Sequence, residues 1–323
     1  MAFLVSLFFG FFPMLFFAAI VYWLDRYEKE PKVLLGAAFT WGVVIAGGGA
    51  FIINTILGIG VFAITGSSRE TEIVTASVIA PIVEEGLKGL AVLVVYFVFR
   101  KEFDSIMDGI IYAGITALGF AAIENVLYIY RNGYQEGGWE GLWLLVFIRV
   151  ILVGWQHPFY TAFTGIGLAI ARMNRNLLVK ILAVIGGFGT AVMTHAFHNS
   201  FGSWIGGFEG LAAGTFVDWV GWFFMLLFII WMMLRERNIL KKYLAEEVNT
   251  GLISANQYHK ALSFWTATTA GFSGRATSRF YQVCGELVHK KRQLEKVGNE
   301  KDNAAMIEKY RVELAGLAPQ VKA

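Results

Sequence analysis

Apolar residues run long enough to cross a membrane seven times along this chain. A bilayer's hydrocarbon core of roughly 30 Å takes about 20 helical residues. The runs cover roughly 2–24, 33–64, 73–99, 104–130, 140–171, 178–202 and 211–234. With 56% hydrophobic residues and a mean hydropathy of +0.57, the chain is too apolar for a soluble domain. Backbone polar groups at bilayer depth must be satisfied internally, and runs of this length do that as helices. The expected fold class is all-α: a polytopic membrane helix bundle of about seven spans.

Basic residues orient the bundle. Residues 25–32 carry Arg26, Lys29 and Lys32; residues 100–103 carry Arg100 and Lys101; residues 172–180 carry Arg172, Arg175 and Lys180. The alternate connections carry only Arg69, only Arg131, and none at Ser203–Gly210. The positive-inside rule then places the N terminus outside and the C terminus in the cytoplasm. The first run has no basic leader and no small-x-small cleavage site, so it reads as a retained span. The single cysteine, Cys284, excludes an intrachain disulfide.

Near Arg235 the character changes. From there on the chain holds 15 Lys/Arg against 9 Asp/Glu, while the remainder is net acidic. Residues 1–235 are expected to form the transmembrane domain and 236–323 a basic, helical cytoplasmic tail. Such a tail suits a face near anionic lipid, with no call for nucleic acid. Residues 266–278 read as a loop, and Phe280–Val297 and Asn303–Leu317 as amphipathic helices, either a small appendage or lying on the membrane surface. His259 and His289 read as surface histidines.

The third run is interrupted by Pro81-Ile82-Val83-Glu84-Glu85-Gly86-Leu87-Lys88. A carboxylate at mid-bilayer costs roughly 2.5–3.5 kcal/mol on insertion scales. On a helix Lys88 lies near both acids, at i,i+4 from Glu84 and i,i+3 from Glu85, yet one lysine cannot neutralise two carboxylates. The bland reading is a structural ion pair. A functional reading needs polar groups at similar depth on other spans, and the sequence supplies them. The fourth run holds Glu124 and Asn125, the fifth His157 and Thr161, the sixth His195, His198 and Asn199. At about 1.5 Å per residue, Glu84, Glu124 and His195 fall within ~10 Å of one another along the membrane normal, in the outer half. Pro158 places His157 at a kink or a helix start.

Quieter expectations attach to the neighbours. Asp108 reads as a helix N-terminal charge or a partner of Arg100 or Lys101, and Arg149 as a partner of Glu140 or of a lipid phosphate. Asp218 reads as solvated, His198 as structural, and Tyr128 as packing that could steady Glu124.

Two chemistries suit the constellation. His157, His195 and Glu124 can hold a divalent metal such as zinc with a position open for water. Without a metal, a Glu serves as general base with a His, while His195 and Asn199 donate to an oxyanion. Adjacent helical residues point ~100° apart, so one of Glu84 and Glu85 faces the water while the other pairs with Lys88. A proton-coupled transporter or ion pathway using a Glu/His relay is the alternative, although no inverted repeat is visible.

Glu84-Glu85-x-x-Lys88, Phe120-x-x-x-Glu124-Asn125, His157-x-x-x-Thr161 and His195-x-x-x-Asn199 follow one another on successive spans. Together with Asp108-Gly109-Ile110-Ile111-Tyr112-Ala113-Gly114, they resemble the PrsW family of intramembrane proteases. That family is similar to the CAAX prenyl protease and bacteriocin-processing group. The resemblance covers about residues 1–235. It implies a multi-pass protein of the bacterial plasma membrane that cleaves a membrane-anchored protein, in some members an anti-sigma factor during stress signalling. It implies Glu84 and Glu85 as essential acids, with Glu84 favoured as base, His195 as an essential histidine, and Glu124 and His157 completing the site. Lys88 stands where the CAAX pattern has a later Arg, and Glu124 where it has His, so the resemblance leaves the metal open.

Overall fold

The computed structural model describes residues 1–323 except Gly206, Glu300, Lys301, Lys322 and Ala323. The helices follow the apolar runs. Helix α1 is Ala2–Leu24, and α2 is Lys32–Thr65 with a π-helical turn at Gly42–Gly47. Helix α3 runs over 68–98 with a π turn at Thr75–Ile79, and Ser67 caps its start. Helix α4 is Ile106–Leu127, prolonged by a π-helical stretch Tyr128–Gln135. Helix α5 is Glu136–Val146 plus a π turn Phe147–Leu152. Then come α6 (Gln156–Arg172), α7 (Leu177–Trp204) and α8 (Gly207–Asn249). The expected linker at Ser203–Gly210 includes Gly206, outside the described residues.

Among the described residues, five stretches are long and apolar enough to cross a membrane: Ala2–Leu24, Lys32–Thr65, Ile106–Arg172, Leu177–Phe201 and Glu209–Asn249. The count differs from seven for two physical reasons. The 67 residues of Ile106–Arg172 would span about 100 Å if straight, but the chain reverses at Gly138, whose φ of 60° and ψ of −148° are open only to glycine. That stretch therefore supplies two of the expected seven segments. Helix α3 fails the apolarity test because Glu84, Glu85 and Lys88 lie inside it.

Helix α4 is apolar on all sides, as a central helix should be. Every residue from Met107 to Ala122 is buried. Helices α1, α2, α3 and α6 surround it. With lipid outside, apolar burial gives these helices little drive to associate, so close backbone approach matters more. Gly109 of α4 and Gly165 of α6 provide it: a Cβ on either would collide with the carbonyl oxygen of the other. The N terminus of α4 is a capping box, Ser105 Oγ accepting from the Asp108 amide while Asp108 Oδ2 accepts from the Ser105 amide at 2.7 Å. Asp108 is thus an N-terminal helix charge rather than a partner of Arg100 or Lys101.

The fifth run breaks where proline suggested. After Val153 (φ −123°) the chain leaves the helix, and α6 restarts at Gln156 with Pro158 in its first turn, where no backbone donor is needed. His157 therefore sits at a helix start.

Helix α8 is 43 residues long, about 65 Å, and outruns any bilayer. It passes without a break through 235/236. Its far end, Leu240 and Leu244, packs with Tyr27 and with α9 (Ala255–Ala261), α10 (Arg275–Val297) and α11 (Asn303–Leu317) in a separate apolar cluster that includes Phe280, Cys284, Leu287 and Ile307. The tail helices thus pack on one another and on the end of α8. The stretch 266–278 is not a plain loop: it holds helical turns at Thr266–Thr269 and Ala270–Ser273, and α10 begins at Arg275.

His289 corrects the sequence reading. It is buried, with Nδ1 at 3.0 Å from both Asp104 Oδ1 and Glu28 Oε2, while Lys290 binds the other oxygen of Asp104. Periodicity could not reveal this, because the partners come from two loops far away in sequence. Burial alone would depress His289, but Glu28 and then Asp104 outweigh it and push its pKa up to about 10. Burial alone would raise Asp104, but Lys290 and then His289 hold it below the usual carboxylate range.

A raised histidine stabilises fully below its unfolded pKa of about 6.5 and loses its contribution as pH climbs through about 10. Hydrogen-exchange protection of 275–297 should therefore hold through neutral pH and fall as pH rises through 10. In His289→Leu the fall should already be present at pH 7, with on the order of 3–5 kcal/mol of local stability lost.

Candidate functional site

The polar groups of four spans meet beside a cleft of about 560 Å³. Helix α3 brings Glu84, Glu85 and Lys88, α4 brings Glu124 and Asn125, α6 brings His157 and Thr161, and α7 brings His195 and Asn199.

The two adjacent acids have different surroundings. Glu85 is fully buried and saturated. Its Oε1 accepts from Lys88 Nζ at 2.7 Å and pairs with His195 Nδ1 at 3.0 Å, and its Oε2 accepts from Thr161 Oγ1 at 2.7 Å. Glu84 lines the cleft, and its Oε2 has no hydrogen-bond partner. The nearest cations and imidazoles stand off: Lys88 Nζ at 3.7 Å and His195 Nε2 at 3.8 Å.

Lys88 is the hub. Besides the two acids it lies 3.3 Å from His157 Nδ1 and sits 4.0 Å from the centre of the Phe120 ring, a cation–π contact. An ammonium can only donate, so His157 Nδ1 accepts and Nε2 carries the proton that goes to Glu124 Oε2 at 2.8 Å. By the same logic Glu85 takes the Nδ1 proton of neutral His195, leaving its Nε2 lone pair toward Glu84. The two imidazoles lie edge to face with centroids 5.3 Å apart, and Tyr160 stacks on His195.

Sequence reasoning misplaced Arg149 and Asp218. Arg149 binds Glu124 through Nη2 and donates from Nε to Asn125 Oδ1 at 2.9 Å, with its guanidinium 4.4 Å from the Tyr128 ring centre. Neither Glu140 nor a phosphate is needed. The pairing is long-range, but an arginine inside an apolar run was itself the signal. Asp218 is 4% exposed, not solvated: it accepts from Tyr160 at 3.0 Å and lies 2.6 Å from His198 Nδ1. His198 lines the cleft as well as serving this pair, and Tyr128 steadies Glu124 through Arg149. Asn199 borders the cleft, but one of its amide protons goes to the Ala76 carbonyl at 2.8 Å.

Whether a metal fits can be read from the donors. Glu84, His157 and His195 each offer a ligand atom, all within 4.8 Å of one another. A carboxylate oxygen without a partner facing an imidazole lone pair at 3.8 Å is a donor set that a divalent cation can bridge. Glu84 and His195 offer free donors that fit a metal, and His157 joins them by giving up its contact with Lys88 or Glu124. Glu124, expected among the ligands, is held by Arg149 and His157, and Glu84 takes its place in the compact group.

The fold and site define a class: an α-helical protein with membrane-length spans around a buried carboxylate–imidazole centre that opens to a cleft. Residues 30–233 match the family described as "PrsW family intramembrane metalloprotease". The chain belongs to the PrsW family. It is 36% identical over 109 residues to a protein named Protease PrsW from Clostridioides difficile, an alignment covering 33% of this chain and 43% of that one. The protein of that name from Geobacillus kaustophilus is 35% identical over 112 residues, covering 34% and 46%. That from Bacillus subtilis is 26% identical over 180 residues, covering 51% and 68%. The chain thus spans less than half the length of the first two of these relatives. No solved structure matches.

Removing one partner of a buried ion pair strands the other. Glu124→Gln and Arg149→Met should each destabilise the bundle by about 3–5 kcal/mol. The double variant should lose less than the sum, which thermal unfolding in detergent checks.

Proposed function

We propose that this chain is an intramembrane endopeptidase that hydrolyses a peptide bond of a membrane-anchored protein. The observation that carries the reading is the contrast between the neighbouring acids: Glu85 is saturated, while Glu84, which lines the cleft, keeps one oxygen without a hydrogen-bond partner. Glu84 is the general base. It takes a proton from the attacking water and passes it to the leaving amine, a role worth typically 10²–10⁴-fold. Glu85, fixed by Lys88 and Thr161, sets the orientation and tautomer of His195.

Asn199 keeps a second amide proton beyond the one given to Ala76 and can donate it to the developing oxyanion, while His195 holds an Nε2 lone pair toward Glu84, free to accept a proton or ligate an ion. Glu124, Arg149 and Asn125 hold His157 in place. Glu84 and His195 would hold a divalent ion such as zinc, with His157 joining if it releases Lys88 or Glu124. When bound, such an ion lowers the pKa of water and polarises a carbonyl. Loop charge supports an N terminus outside and a site in the outer half of the membrane. An anti-sigma factor in stress signalling is the substrate that the family resemblance suggests.

Purified Glu84→Gln, Glu85→Gln and His195→Ala should each cut a tagged single-span substrate at least 10²-fold more slowly than the unaltered chain. Three variants cutting at full rate would end the proposal. Chelation should remove activity together with bound metal, and zinc should restore both. Full activity of metal-stripped protein would leave Glu84 working on water without an ion.

A further inference from the structure

The centre opens in a second direction. A cavity of about 330 Å³ lies between α2 and α4 and shares Glu84, Glu124 and Tyr128 with the main cleft. The other walls of the two spaces differ in kind. The main cleft adds Arg69, Glu72, Arg149 and His198, groups suited to water. The second cavity adds Ala50, Phe51, Ile123 and Leu127.

Helix α2 creates the opening. Up to Ala50 one face of it packs inward, with Ala46 and Ala50 buried against Phe120, Trp41, Val83 and Leu87. Beyond Ala50 its large side chains, Phe51, Ile52 and Ile56, are half exposed or more and form a surface suited to lipid. The cavity is therefore reached from the bilayer side rather than from water.

Two polar side chains stand in this apolar arm without full satisfaction. Asn54 directs Nδ2 to Glu84 Oε1 at a long 3.4 Å, and its Oδ1 is buried with no partner. Thr75 Oγ1, also buried, has none either. An unpaired polar atom in such surroundings costs about 1–3 kcal/mol, a cost that a bound partner removes. An amide oxygen and a hydroxyl are complementary to the N–H and C=O of a peptide whose own helix has opened. Thr75 and Tyr128 each begin a π-helical segment, a backbone irregularity found often at functional sites.

We infer that the α2/α4 cavity is the substrate arm of the site. It takes an extended, apolar stretch of the membrane segment being cut, Asn54 and Thr75 bind its backbone, and Ala50 limits the side chain beside the scissile bond. This rests on the hydrolase reading for its purpose but not for its test.

The probe is a biotinylated synthetic peptide with one apolar span of 20-odd residues, carrying either Leu or Ala at the position next to the cut. It is presented in bicelles to the full chain. A photoreactive residue at Thr55, which lines the cavity, should capture it in a His195→Ala background several-fold better than the same residue at lipid-facing Ile52. Ala50→Trp should abolish capture of the Leu peptide while that of the Ala peptide persists. In the active chain Ala50→Trp should shift the Leu-over-Ala cleavage preference at least tenfold toward Ala. Asn54→Leu should raise KM, with Asn54→Gln partly restoring it. If the peptide is cut while Thr55 captures no better than Ile52 and the preference stays put, the arm is overturned and the hydrolase reading stands. If Thr55 captures it selectively and nothing is ever cut, the arm stands as a peptide-binding site and the hydrolase reading falls.

Discussion

The site is built around the buried amine of Lys88. An ammonium buried without partners would not survive in a hydrocarbon-like interior, and one carboxylate on the same helix would leave the second uncompensated. The bundle answers with ligands from three directions: Glu85 at 2.7 Å, the lone pair of His157 at 3.3 Å, and the face of Phe120. Those partners fix the relative positions of α3, α4 and α6. Once they are fixed, Thr161 and His195 fall within reach of Glu85, and Glu124 within reach of His157. The packing of α4 against α6 through Gly109 and Gly165 brings the backbones close enough for those side-chain distances to be met.

This dependence explains the unequal legibility of the sequence. Glu84, Glu85, Lys88, Glu124, His157 and His195 stood out because each is costly in an apolar run, and cost does not depend on knowing the partner. The N-terminal charge role of Asp108 and the break before His157 were legible for a related reason: caps and proline act over a few residues. What stayed hidden was long-range pairing. Arg149 was visible as an intramembrane cation, but its partner Glu124 lies 25 residues away across the reversal at Gly138. Asp218 looked solvated because its span end is near, while Tyr160 and His198 on two other helices enclose it. His289 sits in a helix whose pattern is that of any surface amphipathic segment. The two loops that bury it, around Glu28 and Asp104, carry no mark of that in their own composition.

The same logic separates the two glutamates more sharply than motif resemblance does. Adjacent positions on a helix cannot share an environment, so a Glu-Glu pair at depth divides its work. One member, Glu85, spends both oxygens on Lys88, His195 and Thr161. The other is left with a free oxygen whose only stabilisation comes from groups 3.7 and 3.8 Å away. A carboxylate tied by three strong contacts is a poor base because proton uptake would break them. A carboxylate with an unmade bond gains one by taking up a proton or a cation.

The site thus depends on an imbalance. If Lys88 bonded both acids equally, the cluster would be a stable structural ion triad with nothing left to offer. Its 2.7 Å approach to Glu85 against 3.7 Å to Glu84 is what distinguishes a packing device from a reactive centre. Helix geometry sets up that asymmetry, since Glu85 and Glu84 precede Lys88 by three and four positions and lie to either side of it, so one ammonium does not close on both equally. Moving the lysine one position along α3 would keep the composition of the motif and remove its chemistry.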